Sequence, residues 1–177
     1  MPPRLVVITG SSGVGKSSLA RALQEELLPD QWLHFSFDTL FYCLPISIVL
    51  RVDQHNDRSL MESRVIAAST HACVRTLLDR GHRVIFDAVI MSENGAKGLL
   101  QAFEEFEPMY VALTCSWEQI RNRTLTRGDR TLEEAEFGFK NAGGHLRAHH
   151  TFETTSATAE EIAARLAVHV RASAGGG

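Results

Sequence analysis

Near the amino terminus, Gly10-Ser11-Ser12-Gly13-Val14-Gly15-Lys16-Ser17 satisfies the pattern G-x-x-x-x-G-K-[ST] in full. Each residue type has a chemical reason to be there. Glycines let successive backbone N–H groups turn inward toward phosphate oxygens, and a helix that starts at the end of the loop adds its positive pole. Lys16 supplies a point charge for β- and γ-phosphates, and the Ser17 hydroxyl can coordinate Mg²⁺. The flanks agree: the apolar run Leu5-Val6-Val7-Ile8-Thr9 precedes the loop, and Leu19, Leu23 and Leu27 follow at four-residue spacing. An ordinary glycine-rich turn would need neither the lysine nor the serine. Gly10 through Ser18 are therefore expected to hold the phosphates of ATP or a close relative.

Two carboxylates stand where they could meet such a phosphate. Asp38 and Asp87 each close an apolar strand-like segment, Trp32 to Phe37 and Arg83 to Phe86. Ligands of open α/β sheets sit outside the carboxyl ends of the strands. One acid could take a hydroxyl proton from an acceptor, and the other could hold Mg²⁺, directly or through water. Asp38 suits the base and Asp87 the metal, as a Walker-B acid does. The competing reading of Asp38 is a cap for the helix that follows. That of Asp87 is a purely structural carboxylate. Arg121, Arg123, Arg127 and Arg130 lie close together around Arg127-Gly128-Asp129-Arg130. Guanidinium forks suit phosphate oxygens, and Gly128 offers the bend of a closing lid. Arg127 and Arg130 are read as phosphoryl clamps and Arg123 as a nucleotide contact, whereas Arg121 fits a solvated helix face.

Positioning these groups falls to an alternation of strand and helix. That pattern predicts an α/β fold with about five parallel strands and helices on both faces. Strands are expected at Leu5–Thr9, from Trp32, at 83–87, 109–115 and 151–155. Helices are expected after the loop, over 60–80 closed by Gly81, and over 95–106, 117–126 and 158–170. Thr158 and Glu161 form a capping-box pair at the last of these. Residues 39–57 read as irregular or short helical structure. Residues 1–171 make one P-loop kinase domain with an arginine-rich lid at about 127–150, and Ala172 to Gly177 read as a disordered tail.

The whole composition narrows the partners. The 177 residues carry a formal net charge of −3, which gives no reason to expect nucleic acid as a partner. No apolar stretch has the length of a membrane span and no leader pattern is visible, so a cytoplasmic location is expected. Cys43, Cys73 and Cys115 form neither a disulfide framework nor a zinc pattern and are expected as small buried residues. His145, His149 and His150 cluster, and an i,i+4 pair on a helix can bind metal. They lack a matching Cys or carboxylate set, so a surface or lid-hinge role is expected.

Taken together, Val7 through Ser17, Trp32-Leu33-His34-Phe35-Ser36-Phe37-Asp38-Thr39-Leu40 with Leu44-Pro45, Val84-Ile85-Phe86-Asp87-Ala88-Val89, Arg127-Gly128-Asp129-Arg130 and Thr154-Thr155 resemble the chloramphenicol phosphotransferase-like family. The resemblance runs over nearly the whole chain. It implies a small P-loop kinase that transfers the γ-phosphate of ATP to a hydroxyl of an antibiotic, with Asp38 at the position of the catalytic base. Residues 41–62 depart from the chloramphenicol enzyme: the segment is shorter, and Arg51, Asp53, His55 and Asp57 make it polar. Glu153 departs as well. The resemblance therefore supports fold and reaction type better than acceptor identity. A sugar, sugar-acid or nucleoside kinase is the alternative on the same scaffold. A nucleotide-binding regulatory module without acceptor chemistry is the alternative of a different class.

Overall fold

The computed structural model describes residues 3–55, 57–128 and 131–172. Five strands, β1 (Leu5–Thr9), β2 (Trp32–Ser36), β3 (Arg83–Ala88), β4 (Met109–Thr114) and β5 (His150–Glu153), form one sheet in the order β2-β3-β1-β4-β5. Every pairing is parallel. Parallel neighbours need crossovers, and helices supply them: α1 (Lys16–Glu26), α2 (Phe37–Phe41), α3 (Ile46–His55), α4 (Ser63–Asp79), α5 (Glu93–Phe103), α6 (Trp117–Arg127) and α7 (Leu132–Asn141), while α8 (Ala159–Ala172) follows the last strand.

Side chains of a strand alternate between the two faces of a sheet, and β1 shows what each face meets. Val6 and Ile8 join Leu19 and Leu23 of α1 and Ile162 and Leu166 of α8. Leu5 and Val7 join Val74 and Leu78 of α4 and Leu99 and Phe103 of α5. With both faces covered, β1 reads as a continuous apolar run from Leu5 to Ile8, all of it buried, and only Thr9 at its end is partly exposed. A third, smaller cluster stands apart: Phe41, Val49, Val52, Met61 and Ile66, from α2, α3 and the start of α4. The chain leaves β1 for β2, returns to β3, then crosses to β4 and β5. The carboxyl end of β1 is thus flanked by connections running in opposite directions, which opens a crevice there.

The expected α/β architecture is present, with boundary corrections that have local causes. The second strand stops at Ser36 rather than at Asp38, because Ser36 caps α2. The Thr39 hydroxyl accepts from the Ser36 amide at 3.1 Å, so the turn begins there. Residues 39–57 hold two helical segments around Pro45, whose carbonyl accepts from Ile48 and Val49. The long helix begins at Ser63, and Gly81, at φ 89°, closes it as the residue type requires. The lid region contains the regular helix α7, started by a reciprocal pair between Thr131 and Glu134. Thr158 and Glu161 form the expected capping pair at α8. Ala172 ends that helix, so the expected tail is corrected at its first residue; 173–177 lie outside the described residues.

Candidate active site

The phosphate loop is built by its backbone. Gly10 lies so close to β4 that a Cβ there would stand 2.6 Å from the Leu113 carbonyl oxygen. Gly15 caps α1 in the left-handed region at φ 107°, which no L side chain adopts without strain. Between them Ser11, Ser12, Gly13 and Val14 carry the chain over the carboxyl end of β1, so the loop leads straight into the amino-terminal turn of α1. Lys16 is buried, and its ammonium donates to the Ser11 carbonyl at 3.0 Å. The charge is folded back over the loop it follows, where a phosphate would sit.

Beneath the loop lies Asp87, buried near the end of β3. Its Oδ2 accepts from the Ser17 hydroxyl at 2.9 Å and from His34 Nε2 at 2.7 Å. Burial pushes the Asp87 carboxyl up. The His34 hydrogen bond, the Lys16 charge and the Ser17 hydroxyl together outweigh it and hold the group below the ordinary carboxylate value. The acid is ionised at neutral pH. Because Ser17 spends its proton on Asp87, its oxygen lone pairs remain for a cation. A hydroxyl and an ionised carboxylate are hard oxygen donors that fit Mg²⁺.

Arg123 and Arg127 project from α6 to the other side of the loop. Arg123 Nη1 donates to the carbonyls of Gly13 and Val14 at 3.3 and 3.1 Å, and Nη2 donates to the Thr154 carbonyl at 2.8 Å. Thr154 is itself buried, and its hydroxyl donates to Val14 O at 2.7 Å. The phosphate loop is thereby tied to the β5–α8 connection. A cleft of about 250 Å³ opens beside this tie, walled by Val14, Gly15, Leu19, Ala157 and Ile162, with Ser18, Arg123 and Arg127 on its rim. Arg127 is exposed at the end of α6, where Gly128 turns the chain at φ 63°. Arg121 is exposed, in keeping with a solvated face. Arg130 and Asp129 lie outside the described residues. Gly138 of α7 rests on the loop; a Cβ there would stand 4.0 Å from Ser12 Cβ.

Asp38 occupies the second position of α2 and is exposed. Ser36 is the N-cap, so the capping alternative for Asp38 is overturned. The end of β2 pairs directly with Asp87, through Ser36, and Asp38 follows two residues later in the first turn of α2. His34 was not singled out among the candidates in the sequence. Its only signal is a polar ring inside an apolar strand, and its partner emerges only when β2 pairs with β3.

One further expectation is corrected. None of the cysteines is buried: Cys43 is exposed in the turn after α2, and Cys73 and Cys115 are half-buried. Cys115, just past the end of β4, packs against the core cluster of Val6 and Ile8 while remaining partly exposed. The three histidines share no helix. His149 Nδ1 accepts from the Tyr110 amide at 2.9 Å, while the His150 ring stacks on His169 with centroids 4.1 Å apart. Among the described residues no group of His, Cys, Asp and Glu has the make-up of a metal cluster, and no helix is long and apolar enough to cross a membrane.

Known proteins are similar to this chain over most of its length. The family model described as chloramphenicol phosphotransferase-like protein matches residues 3–171. The guanylate kinase of Mycolicibacterium paratuberculosis is 29% identical over 167 residues, spanning 85% of this chain and 72% of that protein. Among solved structures, a gluconokinase from Sinorhizobium meliloti superposes with a TM-score of 0.64 at 18% identity, covering 98% of this chain and 93% of that one. The tunicamycin resistance protein of Deinococcus radiodurans gives 0.61 at 15% identity, covering 99% and 96%. At such identities the structural likenesses speak for the fold.

Proposed function

The chain belongs to the chloramphenicol phosphotransferase-like family, and on that premise we propose that it uses ATP to phosphorylate a hydroxyl of a small molecule. The observation that carries this reading is the convergence of Lys16, Ser17 and Asp87 under one glycine loop at the carboxyl end of the sheet. The loop amides and Lys16 bind the β- and γ-phosphates and take up charge that shifts as the phosphoryl group moves. Ser17 and Asp87 would hold Mg²⁺, whose charge would neutralise the phosphate oxygens. Asp38 is the general base: it accepts the acceptor's hydroxyl proton as that oxygen bonds to the γ-phosphorus and the bond to ADP breaks. Arg127 and Arg130 clamp the transferring group, and Arg123 orders the loop and lines the nucleotide cleft.

An antibiotic alcohol is the acceptor this reading puts first. The family description favours it, and the tunicamycin resistance protein shares the fold. A metabolic kinase is the second reading, favoured by the guanylate kinase relative and the gluconokinase fold neighbour. An ADP-release screen against antibiotics bearing free hydroxyls, sugar acids, nucleosides and nucleoside monophosphates separates the two. Turnover with the antibiotic set supports the first reading and turnover with metabolites the second. ATP binding without ADP release across both sets would instead identify a nucleotide-gated module.

A further inference from the structure

We propose that His34 is a positioning residue for phosphoryl transfer, fixing through Nε2 the Asp87 carboxylate that receives the nucleotide's Mg²⁺. The inference rests on the reading of Ser17 and Asp87 given above. A carboxylate can rotate about its Cβ–Cγ bond, and one donor restrains that rotation only weakly. Here Oδ2 is engaged by two donors from two different elements, Ser17 from α1 at 2.9 Å and His34 from β2 at 2.7 Å. Ser17 belongs to the loop and helix that a nucleotide contacts, whereas His34 comes from the interior of a strand. Pairing of Ser36 with Asp87 and of His34 with Ile85 brings the ring alongside the acid. Both partners are largely shielded from solvent, with 19% of the His34 side chain and 9% of the Asp87 side chain exposed. His34 is thus the partner that lies outside the phosphate loop and its helix, and it keeps the carboxylate aimed while the Ser17 oxygen, still donating its proton to Asp87, faces the cation. Groups that orient a metal-binding residue in this way typically contribute about 10–100-fold in metal affinity.

A ring that merely shields a buried acid would stabilise the fold without setting metal dependence, and the experiment must tell these apart. ADP binding is measured by calorimetry, in EDTA and in saturating Mg²⁺, for the wild type, His34→Phe and His34→Gln. Phenylalanine keeps the ring volume and removes the donor; glutamine keeps a nitrogen donor at similar reach. Thermal unfolding is recorded on all three. The expected result is that His34→Phe binds ADP as the wild type does in EDTA but loses about 10–100-fold of the gain brought by Mg²⁺. His34→Gln should recover most of that gain. A wild-type Mg²⁺ gain in His34→Phe, an equal loss with and without Mg²⁺, or a glutamine variant no better than phenylalanine would overturn the proposal. Should His34→Phe not fold, His34→Gln decides alone: a Mg²⁺ gain near that of the wild type supports the role, and its loss refutes it. Absence of any Mg²⁺ gain in the wild type would sink the reading of Ser17 and Asp87 as the metal site, a failure distinct from one confined to the variants.

Discussion

Asp38 is the residue on which the proposed chemistry turns, and its surroundings make it testable. The side chain is exposed on α2 and the cap of that helix is Ser36, so neither burial nor capping obliges an acid there. Asp38→Asn should therefore leave the unfolding temperature and ATP affinity near wild type. Loss of a general base lowers turnover by about 10²–10⁴-fold, and acceptor phosphorylation should fall on that scale. Full-rate transfer by a folded, ATP-binding Asp38→Asn protein would remove Asp38 from the base role. At this scale the sequence was legible wherever function is written in consecutive residues. Gly10 to Ser17 act as a unit because one loop carries all their amides, so a linear motif suffices. His34 and Thr154 were not picked out as site residues because their partners, Asp87 and Val14, are remote in sequence and meet them only once strands are paired.

Between elements, the tie from α6 and the β5–α8 connection to the loop has a measurable cost. Thr154 is buried, and its hydroxyl donates to Val14 O at 2.7 Å while accepting from Arg123 at 3.3 Å. Thr154→Val keeps the shape and removes both bonds. A buried group left without its partner costs about 1–3 kcal/mol, so urea unfolding should show a loss in that range. ATP binding should weaken as well, because the loop loses an anchor behind Val14. The α3–α4 connection carries a different device. Hydrogen bonds from the Ser59 side chain and amide, with the Arg51 guanidinium, hold the Asp57 carboxyl down at about 2 against an ordinary 3.8. A depressed acid contributes stability above its unfolded value, and that contribution fades as pH falls through the folded one. The Asp57 carbon resonance should accordingly titrate near pH 2, and Ser59→Ala should bring the midpoint back toward 3.8. A midpoint near 3.8 in the wild type would mean that the loop is open in solution. Elements with clear periodicity, such as α1 and α4, were legible because one face meets the sheet. Residues 39–57 were legible only as irregular or short helical structure, without bounds: α2 is a short segment set by a serine cap, and α3 buries Val49 and Val52 against a small local cluster while Ile46 and Leu50 stay exposed.

The molecule as a whole has a broad core on both faces of the sheet and a lesser one beside it, and that inequality bears on how an acceptor enters. β1, β3 and β4 are sealed between α1 and α8 on one face and α4 and α5 on the other. Segments α2 and α3 close on the small cluster of Phe41, Val49, Val52, Met61 and Ile66, with Phe37, Leu40, Leu44 and Ile48 partly buried against it and Ile46, Leu50 and Leu60 left at the surface. Regions with few buried apolar contacts open at lower free energy than the core to which they are attached. Asp38 sits at the junction of the two, at the start of α2, so opening of the small cluster would widen the approach to the proposed base without disturbing the phosphate loop. Native-state hydrogen exchange should then find the α3 amides exchanging at distinctly lower free energy than those of β1 and β3. ATP should slow exchange chiefly in the loop and the first turn of α1, and a true acceptor should slow it in α2 and α3. The same readout ranks candidates from the ADP-release screen, since a molecule that is turned over must occupy that side. Apo α3 amides as protected as those of β1 would show the small cluster to be fused to the main core, and acceptor entry would then have to proceed without its opening.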